Sequence, residues 1–331
     1  MGGSLHRCSR TDGTALAVLG PVLRSIAMPS AGCDALCFAL AFSGGMDSRF
    51  LAHAAQLLGF APLLLHVTGP HVPPEESAFA RRWASARGLP LRELFVDPLS
   101  LPLVAQGSRR RCYACKRELF SRLLTLLDDE ARRLSLSAPL PLCDGTNASD
   151  LHALRPGMQA VQELGIRSPL ALAGLSKADV YRLAALSGLD EPEQKPRPCL
   201  LTRLPYGVRP EAALLEALSV GEDVVRAFLA RHCGPAPDFR LRLVPVGNTT
   251  DTEAPLRLEL HLLHCDAFRL PCDAEAHLAR LITQASPALP GPARLAPQDT
   301  LSGFFDRPRP ACAALPQTFQ TSLPHALSPR T

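Results

Sequence analysis

The chain has 331 residues, with 35 Lys and Arg against 31 Asp and Glu, for a formal net charge of +4. Hydrophobic residues make up 47% and charged residues 20%, the composition of a globular protein with enough apolar material for one large domain or two modest ones. Aromatics at 5% and a small, dispersed charge argue against a nucleic-acid surface, and no apolar run approaches the roughly 20 residues that span a bilayer.

Residues 1–34 form a variable lead-in, patterned only by a short helix around Leu16–Ala27 and expected to be loosely packed. The apolar stretch Leu16–Val22 is interrupted by Gly20 and Pro21 and does not read as a secretory signal, so a cytoplasmic address is expected. In that reducing compartment the 11 cysteines, an odd number, are expected to be buried, metal-binding or catalytic rather than paired. From Ala35 to Phe42 an unbroken apolar run of strand length ends at Ser43-Gly44-Gly45. Such a run suits a strand buried on both faces of a parallel sheet. Helix Arg49–Leu58, strand Leu63–Val67, helix Glu75–Arg87 and strand Leu91–Val96 continue a βαβ rhythm.

Arg117–Leu136 is predicted as a helix, and Leu140–Cys143 as a short strand entering the turn Asp144-Gly145-Thr146-Asn147. Helices follow at Met158–Leu164 and Lys177–Ser187, the second opened by Ser176 with Asp179 at the capping-box offset. Residues 190–198 break regular structure. Beyond Tyr206-Gly207 the pattern changes to a helix over Glu211–His232, two alternating strands at Phe239–Val244 and Leu256–Leu263, and a helix near Asp273–Gln284. From Ser286 the chain is rich in Pro, Ala, Ser and Thr and reads as disordered.

Ser43-Gly44-Gly45-Met46-Asp47-Ser48 lies between the first buried strand and a helix. Glycines there let the backbone approach a phosphate, and the helix dipole favours negative charge. The adjacent glycines fit neither a Walker A loop nor a dinucleotide fingerprint. The segment matches instead the PP-loop of ATP pyrophosphatases, which adenylate a substrate and release pyrophosphate.

Cys112 and Cys115 form a Cys-x-x-Cys, and Cys199 stands in Pro198-Cys-Leu-Leu-Thr-Arg203. A lone Cys-x-x-Cys is open to several readings: half a zinc site, a redox pair, or chance. Three thiolates would leave one iron of a 4Fe–4S cluster without a protein ligand, free to carry an exogenous sulfide. The basic neighbours Arg109, Arg110, Arg111, Lys116, Arg197 and Arg203 would lower the thiol pKa values, or else form only a solvated face. Cys33, Cys37 and Cys143 read as packing residues and His66 as a core or edge histidine, while Cys8 and Cys312 fall in segments expected to be mobile. Cys233, Cys265 and Cys272 have no site-like spacing.

Taken in order, SGGMDS at 43–48, RCYACKRELF at 111–120, DGTNASDLHALRPGMQA at 144–160, RSPLALAGLSKADV at 167–180, KPRPCLLTRLPYG at 195–207 and FRLRL at 239–243 resemble the LarE family. These are ATP-dependent sulfur transferases of nickel-pincer nucleotide synthesis for lactate racemase. The resemblance implies an α/β fold: a parallel-sheet PP-loop domain over 35–206, a small α+β substrate or oligomerisation domain over 207–285, and a Pro-rich tail over 286–331. It implies ATP with Mg²⁺, held by Ser43, Gly44, Gly45, Asp47, Ser48, Asp144, Gly145, Thr146 and Asn147. The implied substrate is pyridinium-3,5-biscarboxylic acid mononucleotide, gripped by Thr202, Arg203, Arg240 and Arg242. Asp47 and Cys199 are the catalytic candidates. In one branch of the family the cysteine at this position gives up its sulfur and becomes dehydroalanine; in another, three cysteines hold a 4Fe–4S cluster. Cys112 and Cys115 beside Cys199 favour the cluster branch.

The partner implied is a small molecule, with no nucleic acid and no membrane, in a homo-oligomer. Thr202 stands where the family usually has Ser, and Val225-Arg226-Ala227 stand where an acidic residue is expected on the helix before the R-x-R strand. Three other readings compete: a tRNA thiolase, which predicts a broad basic surface and further Cys-x-x-Cys pairs; an ammonia-using synthetase, which leaves the three cysteines without a role; and a non-catalytic nucleotide- or metal-binding module.

Overall fold

The computed structural model describes residues 16–28, 36–151, 156–195, 197–234, 237–247 and 254–307. The expectations for Cys8, Cys33, Cys312 and the tail beyond residue 307 lie outside them. The first unit is a four-stranded, all-parallel sheet in the order β3-β2-β1-β4, made of β1 (Phe38–Ala41), β2 (Pro62–Thr68), β3 (Leu91–Phe95) and β4 (Leu142–Cys143). Because successive side chains on a strand point to opposite faces, the apolar run of β1 serves two cores. Phe38, Leu40 and Leu64 join Phe50, Leu51, Trp83, Val180 and Leu183 on one side, and Ala39, Leu63 and Leu65 join Phe120, Leu123, Leu127 and Val161 on the other. That double burial explains the absence of alternation in the sequence.

The helices supply those partners. α1 (Leu19–Ile26), α2 (Met46–Leu57) and α3 (Pro74–Ala86) precede the long α4 (Arg111–Arg133), and α5 (Pro156–Glu163) and α6 (Lys177–Leu186) complete the unit. The predicted capping box on α6 forms, with the Ser176 hydroxyl accepting from the Asp179 N–H. The helix expected from residue 117 begins at Arg111, which puts Cys112 and Cys115 at the second and fifth positions of α4. The expected loose lead-in is corrected at α1: Leu19 and Leu23 are fully buried in the main core.

The second unit is a three-stranded sheet, β5 (Phe239–Pro245), β6 (Leu256–Leu263) and β7 (Arg294–Gln298), with β5 antiparallel and β7 parallel to β6. Helices α7 (Ala212–Cys233) and α8 (Ala274–Ala285) pack on it through Leu218, Val225, Leu229, Leu278 and Ile282. Gly221 permits the close approach of α7, since a Cβ there would meet the Leu241 side chain at 2.7 Å. The same core takes in Val104, Cys115, Leu200, Leu201 and Leu204 from the first segment. The expected disorder from residue 286 is also corrected: β7 pairs with β6, and Leu289, Ala293 and Leu301 are buried. Pro297 fits there because β7 is an edge strand, where a missing N–H is tolerated.

Candidate functional site

In the first sheet the chain steps outward from β1 to β2 and β3, then returns to the other side of β1 with β4. The crevice beyond the carboxyl ends of β1 and β4 is therefore the topological switch point, where open α/β sheets bind ligands. Residues 43–48 leave β1 there and residues 144–147 leave β4. Gly44 has φ +77°, a conformation glycine adopts without strain, and Gly45 is the N-cap of α2. The Ser43 hydroxyl accepts from the Gly45 N–H at 3.2 Å, and the Ser48 hydroxyl donates to the Gly45 carbonyl at 3.0 Å, closing the loop on itself. At Gly145 a Cβ would lie 3.0 Å from the Ser48 nitrogen, so the two turns touch backbone to backbone.

Side chains then lock them together. The Asp144 carboxylate accepts from the Thr146 hydroxyl at 2.6 Å, the Thr146 N–H at 3.1 Å and the Ser168 hydroxyl at 2.7 Å, which fixes the second turn. Asn147 Nδ2 donates to Asp47 Oδ1 at 3.2 Å, and Lys177 Nζ donates to the other Asp47 oxygen. Lys177 was not identified from the sequence; it lies 130 residues from Asp47, and its only local signal was a place beside the capping serine. The first-turn N–H groups of α2, which no helical carbonyl can reach, and the Lys177 ammonium together form an anion-binding arrangement beside a carboxylate able to take a cation.

Cys112, Cys115 and Cys199 come together across 84 residues of sequence: Cys115 feels the charges of Cys199 and Cys112, and Cys199 that of Cys112. All three are free thiols. Among the described residues no three side chains converge as ligands to a single metal ion do. Cys112 and Cys115 lie at the start of α4, and Cys199 stands just before the turn Leu200–Arg203. The expected lowering of the thiol pKa values is corrected. Burial pushes Cys199 up to about 11, outweighing Arg203 and Arg111, and pushes Cys115 up further. The basic neighbours are engaged elsewhere: Arg111 donates to the Leu204 and Pro205 carbonyls, Arg197 to Glu76, and Arg203 to Glu222.

Thr202 and Arg203 form the short helical turn after Cys199. The Thr202 hydroxyl donates to the Cys199 carbonyl at 2.7 Å and accepts from Arg203 at 2.8 Å. Arg203 makes a two-pronged pair with Glu222 at 2.6 and 3.0 Å, both residues being buried. Glu222 also accepts from the Leu241 N–H at 3.1 Å. It stands on α7 one turn before the segment Val225–Ala227, where no acidic residue is present. Burial pushes its carboxyl up, but Arg203 and the hydrogen bonds bring it below the usual range.

A cleft of about 690 Å³ opens between the 191–197 loop and the second unit, lined by Lys195, Arg197, Arg203, Arg226, Arg240 and Glu222 among others. It adjoins the cysteine turn through Arg203 and does not include the 43–48 loop. Arg240 lines it and pairs with Asp238. Arg242, the other arginine of the R-x-R strand, is bonded to His261 Nδ1 at 2.7 Å and to the Leu301 carbonyl, under the Phe304 ring. Burial, with Arg203 and Arg240 nearby, pulls its pKa to about 9. His66, read as a core histidine, is buried between the Phe42 carbonyl and the Ser77 hydroxyl. No described helix is long and apolar enough to cross a membrane.

A parallel sheet with these loops at its switch point is an α/β domain of the PP-loop type, followed here by a small α+β unit. No family model matches the chain. It is 33% identical over 188 residues to an uncharacterized protein of Synechocystis sp., covering 56% of this chain and 68% of that one. It is 26% identical over 190 residues to an uncharacterized protein of Methanocaldococcus jannaschii, covering 57% and 69%. It is 31% identical over 170 residues to the pyridinium-3,5-bisthiocarboxylic acid mononucleotide synthase of Lactiplantibacillus plantarum, covering 51% of this chain and 59% of the synthase. The chain belongs to one family with the Synechocystis protein, and it is similar to the Lactiplantibacillus synthase over 59% of that protein's length.

Proposed function

We propose that the chain is an ATP-dependent sulfur transferase that converts a carboxylate of pyridinium-3,5-biscarboxylic acid mononucleotide to a thiocarboxylate. The observation that carries the reading is the joint presence of the 43–48 loop, braced by Asn147 and Lys177, and a cysteine turn whose neighbour is an arginine-lined cleft. Similarity to the Lactiplantibacillus synthase supports it. The loop N–H groups and Lys177 hold the phosphates of ATP, and Asp47 faces the Mg²⁺ that accompanies them. A substrate carboxylate oxygen attacks the α-phosphorus, the bond to pyrophosphate breaks, and an acyl adenylate forms. A sulfur nucleophile then attacks the acyl carbon, and the carbon–oxygen bond to AMP breaks.

Cys112, Cys115 and Cys199 would hold a 4Fe–4S cluster, which when bound supplies a sulfide on the iron left free. Arg240 and Arg203 in the cleft wall orient the substrate's anionic groups, with Thr202 fixing the turn that carries Cys199. In the sacrificial variant of the reaction Cys199 Sγ is itself the nucleophile. Loss of its Cα proton then breaks the Cβ–S bond, leaving the thiocarboxylate and dehydroalanine. The test is AMP and pyrophosphate release by anaerobically prepared protein with and without the pyridinium dicarboxylate. Stimulation by the substrate supports the reading; folded, ATP-binding protein without stimulation contradicts it.

A further inference from the structure

Arg49 follows Ser48 directly, on the first turn of α2, and is wholly buried. Its guanidinium does not serve the core around it. Nη1 donates to the Asp190 carbonyl at 2.8 Å, and Nη2 donates to the Glu191 carbonyl at 3.0 Å and Gln194 Oε1 at 2.7 Å. The Phe79 ring covers one face at 5.3 Å. A buried cation is costly and survives only where its hydrogen bonds are well made. Here all three of those bonds reach one segment, 190–194, about 140 residues away in sequence.

That segment begins a strap anchored at several points to the first unit. Glu191 holds a left-handed backbone at φ +46°, a conformation that side-chain-bearing residues keep only when their surroundings enforce it. Arg49 grips its carbonyl. Further along, Arg197 pairs with the buried Glu76 at the start of α3, and the Leu200 N–H donates to the His71 carbonyl at 3.0 Å. Between these anchors the strap lines the cleft with Glu191, Gln194, Lys195 and Arg197, and it carries Cys199. One side chain thus ties the helix that begins at the phosphate loop to the segment that bears the sulfur site.

We propose that Arg49 is a positioning residue: it sets the 190–200 strap, and with it Cys199 and one wall of the cleft, in register with the 43–48 loop. The inference rests on the proposed function for its catalytic meaning, but its structural content does not. In the reaction, a carboxylate activated at the loop must meet sulfur at Cys199, and a misplacement of about 1 Å between such groups costs on the order of 100-fold in rate.

The test compares Arg49→Met and Arg49→Lys with the parent protein in two readouts. The first is iodoacetamide labelling of Cys199 in metal-free protein, resolved by peptide mass spectrometry. The second is the ratio of ATP–pyrophosphate exchange to thiocarboxylate formation. Arg49→Met is expected to raise the Cys199 labelling rate roughly tenfold as the strap opens locally. It should leave ATP binding and exchange close to the parent and lower sulfur transfer on the order of 100-fold. Arg49→Lys, which keeps a donor, should recover part of both effects. Should Arg49→Met fail to fold, Gln194→Leu removes a strap-side acceptor without touching α2 and should shift both readouts in the same direction. Unchanged labelling and an unchanged ratio in folded variants would overturn the proposal. A parent protein with no substrate-dependent AMP would remove the proposed function while the labelling result still decides whether Arg49 holds the strap.

Discussion

Asp47 meets Asn147 on one oxygen and Lys177 on the other, so the carboxylate of the phosphate loop is held by residues from two later elements. Lys177 is the cation nearest that carboxylate, and its ring contact with Tyr181 at 5.0 Å keeps it in place. Replacing it should weaken stabilisation of the phosphate charge that develops during adenylation. Lys177→Ala is expected to lower AMP formation by about 100- to 1,000-fold while the fold persists, measured by steady-state kinetics and thermal melting. Cys199 gives a pH-dependent prediction. Its thiol titrates near 9.0 ordinarily and is pushed up to about 11 by burial. In metal-free protein its alkylation should be slow at neutral pH and rise with pH until about 11. Because the unfolded chain releases this proton first, the metal-free fold keeps the full contribution below about 9 and loses it as pH rises from there towards 11. Urea midpoints across that window check the sign. The SGGMDS loop was legible in the sequence because its chemistry resides in consecutive residues. Lys177 was not, since the contact that gives it a role is made across 130 residues. The raised Cys115 and Cys199 pKa values were not legible because burial, which outweighs the nearby basic residues, depends on contacts made far along the chain.

At the scale of elements, the turn of Thr202 and Arg203 is fastened to α7 by Glu222 and, through it, to the backbone of β5. Neither charge has solvent to fall back on. Glu222→Gln leaves Arg203 without its counter-charge, and such a loss is expected to cost about 3–5 kcal/mol, read as a lower urea midpoint with an unchanged slope. Helices and strands of the first unit were read well because both-face burial and the capping box leave local marks in the sequence. The start of α4 was missed because Arg109–Arg111 place positive charge at a helix N-terminus, against the dipole, in place of an acidic first turn. The edge strand β7 was hidden by the prolines around it, one of which it contains. That Glu222 would pair with Arg203 was not legible, since the pair joins α7 to a turn 19 residues earlier in the chain.

Across the whole molecule, the cysteine turn joins the two units: Cys115, Leu200, Leu201 and Leu204 belong to the core of the second unit, while the strap that leads there is anchored by Arg49, Glu76 and the His71 carbonyl of the first unit. The switch point of the first sheet and the arginine-lined cleft of the second are thus linked by a single segment, residues 190–204. On the proposed function, activation would take place at one end of this segment and sulfur delivery at the other. The most direct measurement is mass spectrometry of the small-molecule product after anaerobic protein is incubated with ATP, Mg²⁺ and pyridinium-3,5-biscarboxylic acid mononucleotide. The account predicts replacement of a carboxylate oxygen by sulfur, with AMP formed in step. AMP formed without sulfur in the product, or a substrate recovered unchanged by folded, ATP-binding protein, would contradict it.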